Sequence, residues 1–362
     1  MATDTAWPGE PIGLRVGTLP SGSFDAITDV SGVRVGHYTI SREAPEAVRT
    51  GITVVFPLEV DYLESSVFAG FHRYNGFGEF CGTHWIAETG ILTSPIFLTS
   101  SYSVGVVRDT LMMDPMRRGQ PRRFHHPCIA ETNDGFLNSW SGGYLTPAHV
   151  LAAMANAASG PVDQGVVGGG TGMLCHGFKG GIGTASRIAT TALGPVTVGV
   201  LVQSNHGQRA DLTIGGLTVG RYLGPEVIPV PKRPEDGSIV IVVACDAPLT
   251  SQQCQRLAQR AVVGLGRTGG FGHNSSGDFV LAFSTGNRIP SISLRMVEGL
   301  RMFPNEHLSP LFAAVAEATE AAIVHSLLHA RDTTGRGGSK VWALDAEHLT
   351  AAMAQCRGTL EV

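Results

Sequence analysis

An α+β or layered α/β sandwich is predicted for this chain by three observations. Short β-rich runs bounded by glycine, proline or serine fill the first two thirds. The strongest helical patterns lie in the last third, without the regular strand–helix alternation of a parallel sheet. Glycine is the third: 47 of 362 residues, about 13% against the roughly 7% of average usage.

The elements follow in order. Gly51–Phe56, Ser94–Ser100 and Pro195–Gln203 read as strands. One helix interrupts them, with Thr146 as its cap, Pro147 at its first position and an alanine-rich body from His149 to Ala158. Tyr222–Gly237 carries four prolines and several charges, so it reads as a linker. Ser238–Cys245 follows at once and is the most strand-like segment in the chain. Thr250-Ser-Gln-Gln253 forms a capping box ahead of Leu257 and Ala261, with Gly264 expected to end that helix. Ser309-Pro310 opens a long alanine-rich helix reaching about His329, and Asp345 caps a last one from Ala346 to Gln355.

Composition excludes several classes. With 43% hydrophobic and 15% charged residues and a formal charge of -4, the chain is neither disordered nor fibrous. Of its 26 basic residues only Lys179, Lys232 and Lys340 are lysines, and no arginine stripe follows a helical face, which argues against a nucleic-acid partner. Met1–Pro8 lacks a basic start followed by an apolar stretch, and no apolar run approaches the ~18 residues of a membrane span. The six cysteines form no CxxC pair and read as reduced, buried thiols. A cytoplasmic chain is expected, or a periplasmic one if a signal has been removed.

Four familiar motifs fail on spacing. The glycine cluster from Gly165 to Gly183 lacks Gly-Lys-Ser/Thr, because Gly180 follows Lys179, and it never completes GxGxxG. Ser275 has His273, and Ser141 has Ser139, where a nucleophile elbow needs glycine. His84 and Glu88 miss the HExxH arrangement, and His125-His126 adjoin an arginine-rich loop. Neither a metal nor a cofactor is expected.

The junction at Gly237-Ser238 carries more. A serine at the first residue of a buried strand, freed by cleavage of the preceding bond, would hold both a hydroxyl and an α-amine of pKa about 7.7–8.0 able to take its proton. Gly237 reaches backbone conformations that help to bend the scissile peptide toward the hydroxyl. Ser276 and Asp278 share one face at the mouth of the strand Phe279–Phe283 and can assist the proton transfer. Asn205 ends another apolar strand with an amide suited to an oxyanion. Glu131-Thr-Asn133-Asp134 offers acidic groups for a substrate ammonium.

Together these residues resemble the D-aminopeptidase and β-peptidyl aminopeptidase family, self-processing serine enzymes related in fold to ornithine acetyltransferase. The resemblance runs through Ile27–His37, Asn75-Gly-Phe-Gly-Glu79, Glu131–Leu137, Gly168–Gly172, Gly180–Ser186, Gln203-Ser-Asn205, Asp236-Gly-Ser-Ile239 to Asp246-Ala-Pro248, and Gly266–Gly270 to Ser276-Gly-Asp278. It implies an αββα four-layer sandwich like that of N-terminal-nucleophile hydrolases, one catalytic domain over 1–362 cleaved into 1–237 and 238–362. It further implies Ser238 as nucleophile, Ser276 and Asp278 as its partners, Asn205 in the oxyanion hole, and Glu131 with position 133 near the substrate amine. Asn133 stands where some members carry tyrosine, which bears on substrate preference among L-, D- and β-residues. Expected substrates are short peptides, amides and esters with a free amine, and the expected assembly is a homotetramer of αβ units. Two rivals stand beside this reading. An ornithine-type acyltransferase would use threonine after alanine, and a non-catalytic binding protein would keep the sandwich without cleavage.

Overall fold

The computed structural model describes residues 14–120, 124–139, 143–232 and 237–360. Residues 233–236 of the expected linker lie outside the described residues. In chain order the first half holds β1 (Arg34–Arg42), β2 (Val48–Phe56), β3 (Ser65–Gly76), α1 (Thr83–Thr89), β4 (Ile91–Leu92), β5 (Ile96–Ser100), α2 (Val104–Arg117), β6 (Cys128–Thr132) and α3 (Pro147–Ala155). The second half holds β7 (Leu174–Cys175), β8 (Phe178–Lys179), β9 (Gly181–Thr191), β10 (Gly194–His206), β11 (Gly237–Cys245), α4 (Ser251–Arg267), β12 (Gly277–Pro290), α5 (Ser309–Leu328), β13 (Thr333–Thr334), β14 (Lys340–Val341) and α6 (Ala346–Leu360). Two sheets dominate, one of four strands in the order β1-β2-β5-β6 and one of six in the order β4-β3-β12-β11-β10-β9.

Three apolar interlayers make four layers. Every residue of β11 is buried, because successive side chains enter different cores. Ile239, Ile241 and Val243 pack with Leu257 and Ala261 of α4 and Val315 of α5. Val240, Val242 and Ala244 face the other way, onto Leu98, Ala130 and Val55 of the smaller sheet. That sheet turns Ile52, Val54, Phe97 and Ile129 outward onto Val107 and Leu111 of α2 and Val150 of α3. The result is the expected αββα sandwich, with β11 at the centre of its larger sheet. α5 is apolar and long enough to cross a membrane by composition, but 78% of that stretch is buried inside the protein, so it is a core helix.

Three boundaries and one unforeseen helix differ from expectation for identifiable reasons. α4 runs through Gly264 to Arg267, and that glycine serves helix packing: a Cβ there would sit 2.5 Å from the Ala316 carbonyl oxygen of α5. α3 stops at Ala155 because Ala158 leaves the helix to pair with Val35 of β1. α6 extends five residues past Gln355, to Leu360. α2 was hidden from sequence reading by Gly105 and by Pro115 inside it. The Thr250 capping box forms as expected, the Gln253 side chain accepting from the Thr250 amide at 3.0 Å and its amide donating to the Thr250 hydroxyl at 3.4 Å.

Candidate active site

Strand ends from the middle of the larger sheet meet at one place. Antiparallel pairing of β10 with β11 sets Asn205 opposite Ser238 and His206 opposite Gly237. Parallel pairing of β11 with β12 sets Asp278 beside Ile239, and β3 brings Asn75 opposite Asp278. Segments far apart in sequence are thus delivered by register alone. Gly237 adopts φ +75°, in the left-handed region where a side chain would be strained.

Ser238 is 8% exposed, and its Oγ accepts a hydrogen bond from the Gly277 amide at 3.0 Å. Ser276 Oγ donates to Asp278 Oδ1 at 2.6 Å, while Asp278 Oδ2 is buried and makes no hydrogen bond of its own. Burial raises the Asp278 carboxyl to about 6, against the lowering pull of the Ser276 hydroxyl and the Ile239 amide. A carboxyl in that range exchanges its proton near neutral pH. The turn that carries Ser276 is held by Asn75, whose Nδ2 donates to the His273 carbonyl at 2.8 Å and to the Ser276 carbonyl.

Asn205 is oriented from two sides. Its Oδ1 accepts from the Leu174 amide at 2.9 Å, and its Nδ2 donates to the Asn133 carbonyl at 3.0 Å. The loop before Leu174 is clamped in turn by Lys179, which is fully buried and donates to the carbonyls of Gly170, Met173 and Gly180 at 3.1, 2.8 and 2.8 Å. Burial pushes its ammonium down to about 7, and the Arg331 guanidinium adds to the lowering. The lysine that failed as a phosphate-loop residue is therefore a loop clamp.

Glu131 arrives from the smaller sheet. Its Oε1 accepts from the Glu79 amide at 2.9 Å and its Oε2 accepts from the Ser101 hydroxyl, so the buried carboxylate is fixed in place with lone pairs remaining. Gly78 joins it to the serine: a Cβ there would lie 3.0 Å from Glu131 Oε1 and 3.6 Å from the Gly277 Cα. Asn133 is exposed, and its side chain caps its own turn by accepting from the Gly135 amide at 2.7 Å. It reaches the site through its backbone carbonyl. The remaining histidines of interest pack on aromatic rings, His126 stacked on Trp85 at 4.9 Å and His125 edge-on to Tyr62 at 5.4 Å.

Gly237, Ser238, Asn205, Ser276, Asp278 and Glu131 thus come together in one region, which Asn133 reaches through its backbone carbonyl. Sequence reasoning gave no role to Asn75, Ser101 or Lys179. The strand-end motif Asn75-Gly-Phe-Gly-Glu79 was a usable signal for the first. The other two act through pairings between distant segments, which no local pattern reports.

A hydroxyl heading a buried central strand, a serine–carboxyl pair beside it and an oriented amide across from it, within an αββα sandwich, define a serine hydrolase of the N-terminal-nucleophile type. Residues 25–341 match the family model described as Peptidase family S58, and the chain belongs to that family. It is similar to the beta-peptidyl aminopeptidase BapA of Sphingosinicella microcystinivorans, at 41% identity over 355 residues, covering 93% of this chain and 89% of the relative. Among solved structures it is similar to a Burkholderia sp. beta-aminopeptidase, with TM-score 0.91, 45% identity and coverage of 96% and 99%. It also resembles the L-aminopeptidase D-Ala-esterase/amidase of Ochrobactrum anthropi, a prototype of the serine aminopeptidases and a variant of the Ntn hydrolase fold, with TM-score 0.87, 38% identity and coverage of 97% and 99%. The chain is a hydrolase with N-terminal aminopeptidase activity.

Proposed function

We propose that the chain cuts itself between Gly237 and Ser238 and then uses Ser238 to remove N-terminal residues from short peptides, amides and esters. The observation that carries this reading is the convergence of Ser238, Asn205 and the Ser276–Asp278 pair beside a glycine in left-handed conformation. In processing, Ser238 Oγ attacks the Gly237 carbonyl and the peptide C–N bond breaks, giving an ester. Water then cleaves that ester into the Gly237 carboxylate and the Ser238 hydroxyl, and the α-amine is free. In turnover the same oxygen attacks the carbonyl of the substrate's first residue, and the amine or alcohol departs with a proton. The acyl-enzyme is then hydrolysed. Asn205 stabilises the oxyanion, a donor of the kind whose loss raises the barrier by roughly 2.7–4 kcal/mol. The proton passes through the Ser238 α-amine or through Ser276 and Asp278.

Glu131 pairs with the substrate ammonium, which restricts attack to the first residue. We take β-amino acids as the preferred first residue, supported by the names of relatives at 41% and 45% identity. Glu131→Gln keeps an oxygen acceptor and removes the charge. A loss of about 100-fold in kcat/KM, mostly in KM, is expected on a β3-aminoacyl p-nitroanilide. Equal turnover of free and N-acetylated substrates by the unmodified enzyme would refute the role of Glu131. A higher kcat/KM for α-L or α-D analogues would refute the β preference.

Self-association is part of the same reading. Between β12 and α5, Leu294 and Met296 are 99% and 85% exposed, and Ile292, Leu300 and Met302 stand out beside them. An apolar surface of this kind fits an interface between copies of the chain. The double substitution Leu294→Glu, Met296→Glu is expected to lower the mass measured by light scattering from that of a tetramer of αβ units. An unchanged mass would remove this segment from the interface.

A further inference from the structure

A cysteine and two histidines gather beneath the candidate active site without a role in the chemistry above. Cys175 ends β7, His176 follows it, and His206 ends β10 opposite Gly237. Their ligand-capable atoms all lie within 4.8 Å of one another, and all three residues are buried. The Cys175 Sγ to His206 Nδ1 separation is 3.9 Å. Two ligands of a tetrahedral zinc ion, at about 2.3 Å for sulfur and about 2.0–2.1 Å for nitrogen, stand about 3.6 Å apart. The trio therefore needs only small side-chain rotations to converge on one ion.

His176 gives the independent sign. Its Nδ1–H donates to the Gln208 carbonyl at 2.9 Å, which leaves the lone pair on Nε2. That Nε2 is buried without a hydrogen-bond partner, a costly state for a polar atom in a finished core. A backbone carbonyl on one ring nitrogen and an open lone pair on the other is the usual arrangement of a metal-binding histidine. The residue is held there at φ 49°, and a Cβ at Gly207 would meet its ring at 2.4 Å, so the neighbouring backbone leaves the space that the ring fills.

We infer that Cys175, His176 and His206 form a binding site for one thiophilic divalent cation, Zn²⁺ in chemical class, with a fourth position for water. Binding displaces the thiol proton to solvent and joins the sulfur to the metal as thiolate, with no change of oxidation state. The ion ties residues 175–176 to residue 206. Those segments adjoin Leu174 and Asn205, which hydrogen-bond each other, so the metal would brace the oxyanion donor from beneath. The inference does not depend on the catalytic assignments.

The test uses the full chain and Co²⁺ as probe, supplied to purified protein and, because the site is buried, also during expression. One Co²⁺ per chain with a thiolate charge-transfer band in the near ultraviolet is expected, displaced by Zn²⁺, together with a rise in thermal midpoint. Cys175→Ser should abolish the band. His176→Asn should weaken binding while keeping the fold, since asparagine tolerates the left-handed conformation. Cys81→Ser is the control, because Cys81 shares a separate cavity with His84 and His126 and should leave the band intact. Absence of the band in the unmodified chain, its survival in Cys175→Ser, or its loss in Cys81→Ser would each overturn the assignment.

Discussion

Ser238→Ala is expected to yield one intact chain of 362 residues, where the unmodified protein is expected to yield fragments of 237 and 125 residues (1–237 and 238–362) on a denaturing gel. Turnover of an aminoacyl p-nitroanilide should fall by at least about 10⁴-fold, the scale on which removal of a serine nucleophile acts. The variant should still fold. Ser238 lies in β11, whose other side chains fill two cores, and its Oγ makes one hydrogen bond, from the Gly277 amide. Leaving that amide unpaired costs about 1–3 kcal/mol, a fraction of the stability of a chain this size. Mass spectrometry, activity and a thermal midpoint on the same sample separate the possibilities. Cleavage that persists in Ser238→Ala would dismiss the acyl shift. Residual activity near that of the unmodified enzyme would dismiss Ser238 as nucleophile.

How much of this was legible before folding depends on the range of the signal. Local chemistry reads well: the Thr250 capping box, the burial of 238–245 and the pairing of Ser276 with Asp278 all rest on residues within a few positions of each other. The apolar content of β11 identified it as a strand, although only the structure shows that its alternate residues serve two different layers. Features made by close backbone approach were misread. Gly264 looked like a helix end, yet it marks where α4 and α5 touch. Lys179 looked like a failed phosphate ligand, and its three carbonyl partners become visible only once the loop closes on it. The Cys175–His176–His206 group escaped for the same reason. Two adjacent residues and one thirty positions away carry no recognisable spacing until β7 meets the end of β10.

The second large effect concerns the proton. Asp278→Asn preserves an oxygen for the Ser276 hydroxyl and removes the capacity to exchange a proton, so it separates the two candidate bases. If Ser276 and Asp278 relay the proton, kcat should fall by about 10²–10⁴-fold, and the limb of the kcat/KM profile near pH 6 should vanish. If the Ser238 α-amine is the base, that limb is absent from the unmodified enzyme, activity rises instead through about pH 7.7–8.0, and the variant keeps most of its rate. Stability moves the other way. Burial raises the folded carboxyl to about 6 from its ordinary 3.8, so the folded state binds the proton more tightly. That preference is fully present below about pH 3.8 and is lost as pH rises through about 6, after which the buried charge costs on the order of 2–3 kcal/mol. Asp278→Asn should therefore raise the thermal midpoint at pH 7, with the gain shrinking toward zero near pH 4. A midpoint that drops by the same amount at both pH values would show that the carboxylate is not strained by burial. Full activity at pH 7 would leave the α-amine as the base. Where the pair relays the proton, the joint expectation is a more stable and much slower enzyme, because Asp278 Oδ2 is buried and unbonded while Oδ1 accepts from Ser276.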